Sequence, residues 1–466
     1  MPLIIPANTL SGGYTIDNSI RFNDGDSPSL HITPSSETNK QTWTWSAWFK
    51  RSNITSAMNL WTAGNDVNNR CHFDINSSGT FQVEAKNGGS EVCKLENAGG
   101  MVLNDSSAWY HLVWRVDTTQ GTAGNRVRVY INGSELTFTG TANQPSQSTN
   151  FEINVNSTLH AIGRRTWETS NYFDGYLAEV HFADGQSYAP TVFGETNDNG
   201  VWIPKDCKAD ITYGTNGYFL EFKQTGTSQN SSGIGADTSG EDNHFAVSNF
   251  AATDITTDTP TNNFCTLNHL ANSSYTTLSE GNLKTTGNSS SNNGNTESTM
   301  AVANGKWYWE HKMTTSASPY YPTTGALKPE TVGRLLNGGT NGMVGVVTDS
   351  VGYEFDGDRR ISNTSTDDHF DALSNGDILG IALDMDNGAV YFSRNGTWQN
   401  SSDPTSGASK TNAAHTWTAD GRYMMPATAS YNSSVAEINF GNPSFSISSG
   451  NADADGYGNF EYAVPS

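Results

Sequence analysis

Residues 376–398 read GDILGIALDMDNGAVYFSRNGTW, two alternating apolar runs on either side of DMDNG. Leu379, Ile381, Leu383 and Met385 alternate with Ile378, Gly380, Ala382 and Asp384, the period of a strand with two unlike faces. Val390 and Phe392 resume one face after the break. Asn387-Gly388 is the dipeptide a type I′ turn demands, because both central residues need positive φ. The competing reading makes Asp384 and Asp386 a calcium or catalytic pair. An EF-hand loop needs Gly sixth and a carboxylate twelfth. Counted from Asp384, those places hold Ala389 and Asn395, so the stretch reads as a β-hairpin.

The same grammar runs through the chain. TWTWSAWFKRS (42–52) puts Trp43, Trp45 and Ala47 on one face and Thr44, Ser46 and Trp48 on the other. A strand aromatic on both faces belongs at the centre of a sheet, covered from both sides. WYHLVWRVD (109–117), VRVYINGSEL (127–136) with its own Asn-Gly turn, HAIGRRTW (160–167) and YFDGYLAEVHFAD (172–184) follow at sandwich spacing. GKWYWEHKM (305–313) restarts the pattern, and MVGVV (343–347) reads as a buried strand. No long segment has apolar residues at helical spacing.

At 466 residues the chain is long enough for two or three domains. Its 46 Gly and its many Asn, Ser and Thr suit short strands and turns. A net charge of −22 without a basic face argues against nucleic acid as a partner. No run of about 20 apolar residues marks a membrane span, and MPLIIPANTLSGG lacks the basic start and long apolar run of a signal peptide. The four cysteines, Cys71, Cys93, Cys207 and Cys265, show no zinc spacing and read as buried reduced thiols, with a Cys71–Cys93 disulfide as the alternative.

TWSAWFKRS, WYHLVWRVD, VRVYINGSEL, HAIGRR and FDGYLAEVHFAD, in that order, resemble the laminin G-like, concanavalin A-type jelly roll. GKWYWEHKM, GMVGVV, the 376–398 hairpin, MMPATASYNSSVAEINFG and GNADADGYGNF resemble a SPRY domain. The resemblances imply an all-β fold: two tandem concanavalin A-like antiparallel β-sandwiches with a surface-laid connector. The expected division is an extended leader over 1–14, a laminin G-like sandwich over 15–222, a polar connector or arm over 223–300, and a SPRY-like sandwich over 301–466. TTGNSSSNNGNTEST, within the connector, has the composition of disorder. Residues 316–339 are expected as a long loop.

Jelly-roll glycoside hydrolases carry alternate carboxylates on one strand, as E-x-D-x-x-E or E-x-D-x-E, to act as nucleophile and acid. No stretch supplies the triple. There is no G-x-S-x-G elbow before a helix. The expectation is a non-enzymatic protein without a cofactor. Saccharide recognition uses aromatic faces beside Asp, Asn or Arg, which selects Arg165, Trp167 and Tyr172, and Tyr320, Tyr321 and Tyr353. The laminin G-like resemblance sometimes carries calcium, for which Asp174 and Asp184 are the candidate ligands.

The pairing of the two domains, the segment between them and the opening MPLIIPANTL…SIRFNDGDSPSLHITPSS resemble structural proteins of tailed bacteriophages. That resemblance implies a virion surface protein, a tail-fibre-like appendage or a head decoration. Such a protein is made in the host cytoplasm without a signal peptide or membrane insertion. Its partners would be other virion proteins, a host surface glycan or protein, and further copies of itself, with the leader attaching it to the particle. The alternatives are a purely structural capsid or tail cement protein and a jelly-roll polysaccharide hydrolase.

Overall fold

The structure is a computed structural model and describes residues 4–5, 13–97, 103–315, 322–329 and 342–465. It divides into two compact units: the first ends at Asn263, and the second begins at Phe264 and includes Ile4–Ile5. The strand pairs are antiparallel, as expected where hairpins join consecutive strands.

In the first unit two eight-stranded sheets face each other. Thr42–Arg51 lies between Tyr110–Asp117 and Gly175–Asp184 at the centre of one sheet, as its two aromatic faces require. That sheet continues outward through Val127–Ile131 on one side and Ser19–Phe22 on the other. The second sheet is built around Met58–Asp66, Asn69–Ile75, Phe81–Asn87 and Ser90–Glu96. Trp43, Trp45, Trp61, Trp114, Phe73 and Phe182 fill the space between them, all fully buried. Trp43 meets Trp114 edge-on at 4.7 Å, an arrangement aromatic quadrupoles favour. All four cysteines are buried and free. Cys71 and Cys93 sit on strands separated by the 81–87 strand, which keeps them apart.

The second unit pairs a seven-stranded with an eight-stranded sheet. The 376–398 stretch forms the hairpin Ile378–Asp384 with Ala389–Arg394. Its connection is a four-residue loop rather than the expected two-residue type I′ turn. Of the Asn387-Gly388 pair only Gly388 has positive φ, at 75°. Asp384 organises that loop instead, its carboxylate accepting from Asn387 N–H at 2.9 Å and Asn387 Nδ2 at 2.8 Å. The type I′ geometry belongs to the next turn, Asn395-Gly396, with φ of 48° and 78°.

The span 223–300, read as a connector or arm, carries strands of both units. Ala246–Ser248 and Ile255–Thr256 add strands to the two sheets of the first unit. Leu267–Asn272, Thr276–Ser279, Lys284–Gly287 and Gly294–Ser298 are strands of the second. The disorder-like segment is thus ordered, and Asn295, Thr296, Glu297 and Ser298 are fully buried. Pairing with Met425–Ser430 satisfies its backbone, so a polar sequence forms a strand without apolar alternation. Residues 343–347 are buried but form no strand, because Gly345 takes φ of 94°. Within the expected long loop, Thr323–Leu327 is a strand. Of the leader, Ile4–Ile5 pairs with Asn263–Phe264.

Candidate functional site

The outer face of the 42–51 sheet carries a cleft of about 420 Å³ lined by Trp48, Ala108, Trp109, Asn132, Gly200, Val201, Trp202, Pro260 and Asn263. None of these nine side chains is ionisable. Strand parity aims Trp48 away from the core that holds Trp43 and Trp45. His111 is its partner across the strands, and the two rings stack at 4.7 Å with 25° between their planes. Trp202, on the short strand Trp202–Pro204, lies edge to edge with His111 and nearly in its plane, with 20° between the rings and 6.0 Å between their centres. The result is a connected set, with Trp48 on the face of the imidazole and Trp202 at its edge.

Each member is held by a directed contact. Trp202 Nε1 donates to His111 Nδ1 at 3.0 Å, which leaves the proton on Nε2, 2.9 Å from Ser46 Oγ. Burial pushes His111 down to about 3, so the ring is neutral. The Asn132-Gly133 turn is type I′, with φ of 48° and 76°, and Trp202 rests directly on it. A Cβ on Gly133 would stand 2.4 Å from the indole. Trp109 Nε1 donates to Asp258 Oδ1 at 3.1 Å. Asp258 in turn pairs with Lys50 Nζ at 2.5 Å, and Lys50 also reaches Asn263 Oδ1 at 3.0 Å. The charges under the cleft therefore cancel inside the protein. Asn132 donates its backbone N–H to His111 O at 2.9 Å, and its side-chain Oδ1 accepts from His111 N–H at 2.8 Å.

Beside this cleft the 175–184 strand is bulged between Ala178 and His181. Glu179 takes φ of 45° there and accepts from the Tyr14 hydroxyl. Burial pushes its carboxyl up to about 8, with Glu221 and Asp206 nearby adding to the shift.

Arg165 and Trp167 lie elsewhere, on the outer face of the other sheet, and are held by the protein itself. Arg165 is ion-paired to Asp74 and Glu168. Arg70 lies 4.6 Å over the Trp167 ring and pairs with Glu84 at 2.7 Å. His72 Nε2 stands 3.2 Å from Asp74 and 3.6 Å from Glu84. Burial opposes ionisation of Asp74, yet His72 and Arg165 hold its carboxyl well below the usual range. Tyr172 is half-buried in the loop that follows.

Tyr353 is a core residue of the second unit, fully buried and stacked on Phe370 at 4.5 Å, with its hydroxyl given to Asp371 O. Tyr320 and Tyr321 lie outside the described residues. Asp174 and Asp184 sit at opposite ends of the ten-residue 175–184 strand and cannot share an ion. Asp184 instead accepts from Asn154 Nδ2 and Asn216 N–H. Among the described residues, the acidic side chains that do converge are Glu354, Asp356 and Asp358, with one oxygen each within 4.8 Å of the others. Arg360 pairs with Glu354 at 2.6 Å.

Sequence reasoning missed Trp48, Trp109, Asn132 and Trp202 as a group. A signal existed for two of them: Trp48 is the outward aromatic of its strand, and Asn132 marks a hairpin tip.

Residues 24–191 match the Laminin_G_3 model, described as the concanavalin A-like lectin/glucanases superfamily, and residues 306–442 match the SPRY domain. Both are binding folds, and the chain is two tandem β-sandwiches of these kinds. No curated protein matches the sequence. Among solved structures, the SPRY domain of human HERC1 is similar at 15% identity over 37% of this chain and 96% of that one, with a TM-score of 0.29. The heptameric SAP-like pentraxin from Limulus polyphemus is similar at 17% identity over 37% and 78%, with a TM-score of 0.27. A human SPRY domain is similar at 14% identity over 36% and 95%, with a TM-score of 0.28.

Proposed function

We propose that this protein is a non-enzymatic surface protein of a tailed-bacteriophage particle, a tail-fibre-like appendage or a head decoration, that recognises the host surface. The observation that carries the recognition role is the cleft of three indoles on the 42–51 sheet. Its chemistry supports binding over turnover. General acid–base catalysis needs a group that exchanges protons near the operating pH and reaches the ligand. None of the nine described lining residues is ionisable, and His111 beneath them is neutral with both nitrogens engaged. The virion setting is supported by the sequence resemblance of the domain pairing, the joining segment and the opening residues.

The test has two arms. Antibody-labelled imaging of assembled particles should place the protein on their outer surface, and purified protein should bind whole host cells. Absence from particles overturns the virion role. Presence on particles without cell binding leaves a cement protein, and release of reducing ends from host polysaccharide makes it a hydrolase.

A further inference from the structure

We infer that the Trp48–Trp109–Trp202 cleft takes an uncharged saccharide, a short run of neutral pyranose rings. This rests on the recognition role proposed above and adds its ligand class.

An anionic sugar or phosphate calls for Lys or Arg at the contact. The lining has neither, and the nearest ammonium, Lys50, is spent on Asp258 and Asn263. The chain's net charge of −22 adds repulsion. A cationic ligand would stack on indole faces, but Lys50 Nζ already lies 5.7 Å from the Trp109 ring and 4.9 Å from the Tyr176 ring.

A proline-rich peptide is the remaining competitor, since aromatic grooves also receive extended peptides. Its backbone carbonyls need donors, or their desolvation goes uncompensated. The N–H groups of Trp109 and Trp202 point into the protein, to Asp258 and to His111. What these two rings offer a ligand is carbon surface. The C–H face of a pyranose packs on carbon surface and keeps its hydroxyls at the ring edge, for water and for the Asn132 NH₂ at the lip. The volume of about 420 Å³ suits a short oligosaccharide rather than a single small molecule.

His111 is the positioning residue of this site. It stacks on Trp48 and orients Trp202 by accepting its N–H. Because burial keeps it neutral, the arrangement holds across the physiological range of pH.

The test titrates the full chain with neutral trisaccharides (cellotriose, maltotriose, chitotriose) and with trigalacturonate as the anionic counterpart. The readouts are tryptophan emission and calorimetry. A neutral trisaccharide should give saturable quenching, and Trp202→Ala should weaken it by about tenfold. Trp202→Phe should recover part of that loss and report on folding. Val201→Lys, at a lip position 43% exposed, should admit trigalacturonate without changing the melting temperature.

Trigalacturonate binding to the unaltered protein in place of neutral sugars overturns the inference. So does binding of whole host cells that Trp202→Ala abolishes while no saccharide competes, which makes the ligand a protein and leaves the recognition role standing. Cell binding unaffected by Trp202→Ala overturns both, because recognition then lies away from this cleft.

Discussion

The first sandwich has two outer faces, and they solve opposite problems. On the 42–51 sheet the aromatics Trp48, Trp109 and Trp202 surround a neutral hollow. On the facing sheet Trp167 is covered by Arg70 and Arg165, with His72, Asp74 and Glu84 beneath. Both faces carry aromatics of the kind that suggests ligand binding. The difference is where the polar valence goes. On the charged face guanidinium and carboxylate groups satisfy one another, so the face is filled by its own side chains. On the neutral face the polar groups hold the indoles from below, with Trp48 buried at the floor and Trp109 and Trp202 partly exposed around it. An aromatic beside an arginine is therefore weaker evidence of a ligand site than an aromatic whose polar edge is already satisfied.

The comparison breaks most readily at the indoles. Trp109→Ala with Trp202→Ala should lower saccharide affinity by about 100-fold, the product of two stacking losses. An equal loss from Arg165→Ala, read by the same titration, would invert the assignment of the two faces. Asp74→Ala should leave saccharide affinity unchanged and cost the first sandwich about 2–3 kcal/mol, because it leaves Arg165 with Glu168 alone and His72 with Glu84 alone. Urea unfolding measures that cost.

Gly133→Ala joins the two effects. It should cost about 1–2 kcal/mol for the positive φ, and it should reduce binding because its methyl displaces Trp202. Loss of stability with intact affinity would show that the indole can shift without harm.

The faces should also titrate in opposite directions. Asp74 and Glu84 are depressed, so their contribution is full above about pH 4.3, the usual carboxylate range, and is lost as pH falls. Glu179 is raised to about 8, so its contribution is full at low pH and is lost as pH rises through about 8. Urea midpoints followed across pH should form a dome. Asp74→Asn should flatten the acid limb and Glu179→Gln the alkaline limb, each leaving the other unchanged. The smallest effect is expected from Tyr320→Ala with Tyr321→Ala, which should not alter binding if the cleft is the site. A loss there would move recognition to the second sandwich.

Much of this was legible beforehand. The outward parity of Trp48, the central place of the 42–51 strand, the Asn132-Gly133 hairpin and the two-sandwich plan are all local patterns of period two and turn chemistry. The polar strand 294–298 was not, since its burial comes from pairing with 425–430 and leaves no apolar signature. Nor was the loop at DMDNG, where Asp384 captures Asn387 and overrides the preference of Asn-Gly for a tighter turn.

By itself, the sequence determined the long alternating strands, which of their side chains face outward, and that no stretch carries the carboxylate triple of a jelly-roll hydrolase. These follow from alternation, which is written within a few residues. Only the tertiary structure decided that positions 48, 109, 132, 202 and 263 meet in one cleft. It also decided that Arg165 and Trp167 are consumed by their neighbours, and that a bulge turns Glu179 outward beside Tyr14. The physical reason is that convergence depends on which strands lie side by side and on where the connecting hairpins fold back. Neither is encoded in the spacing of residues along one strand.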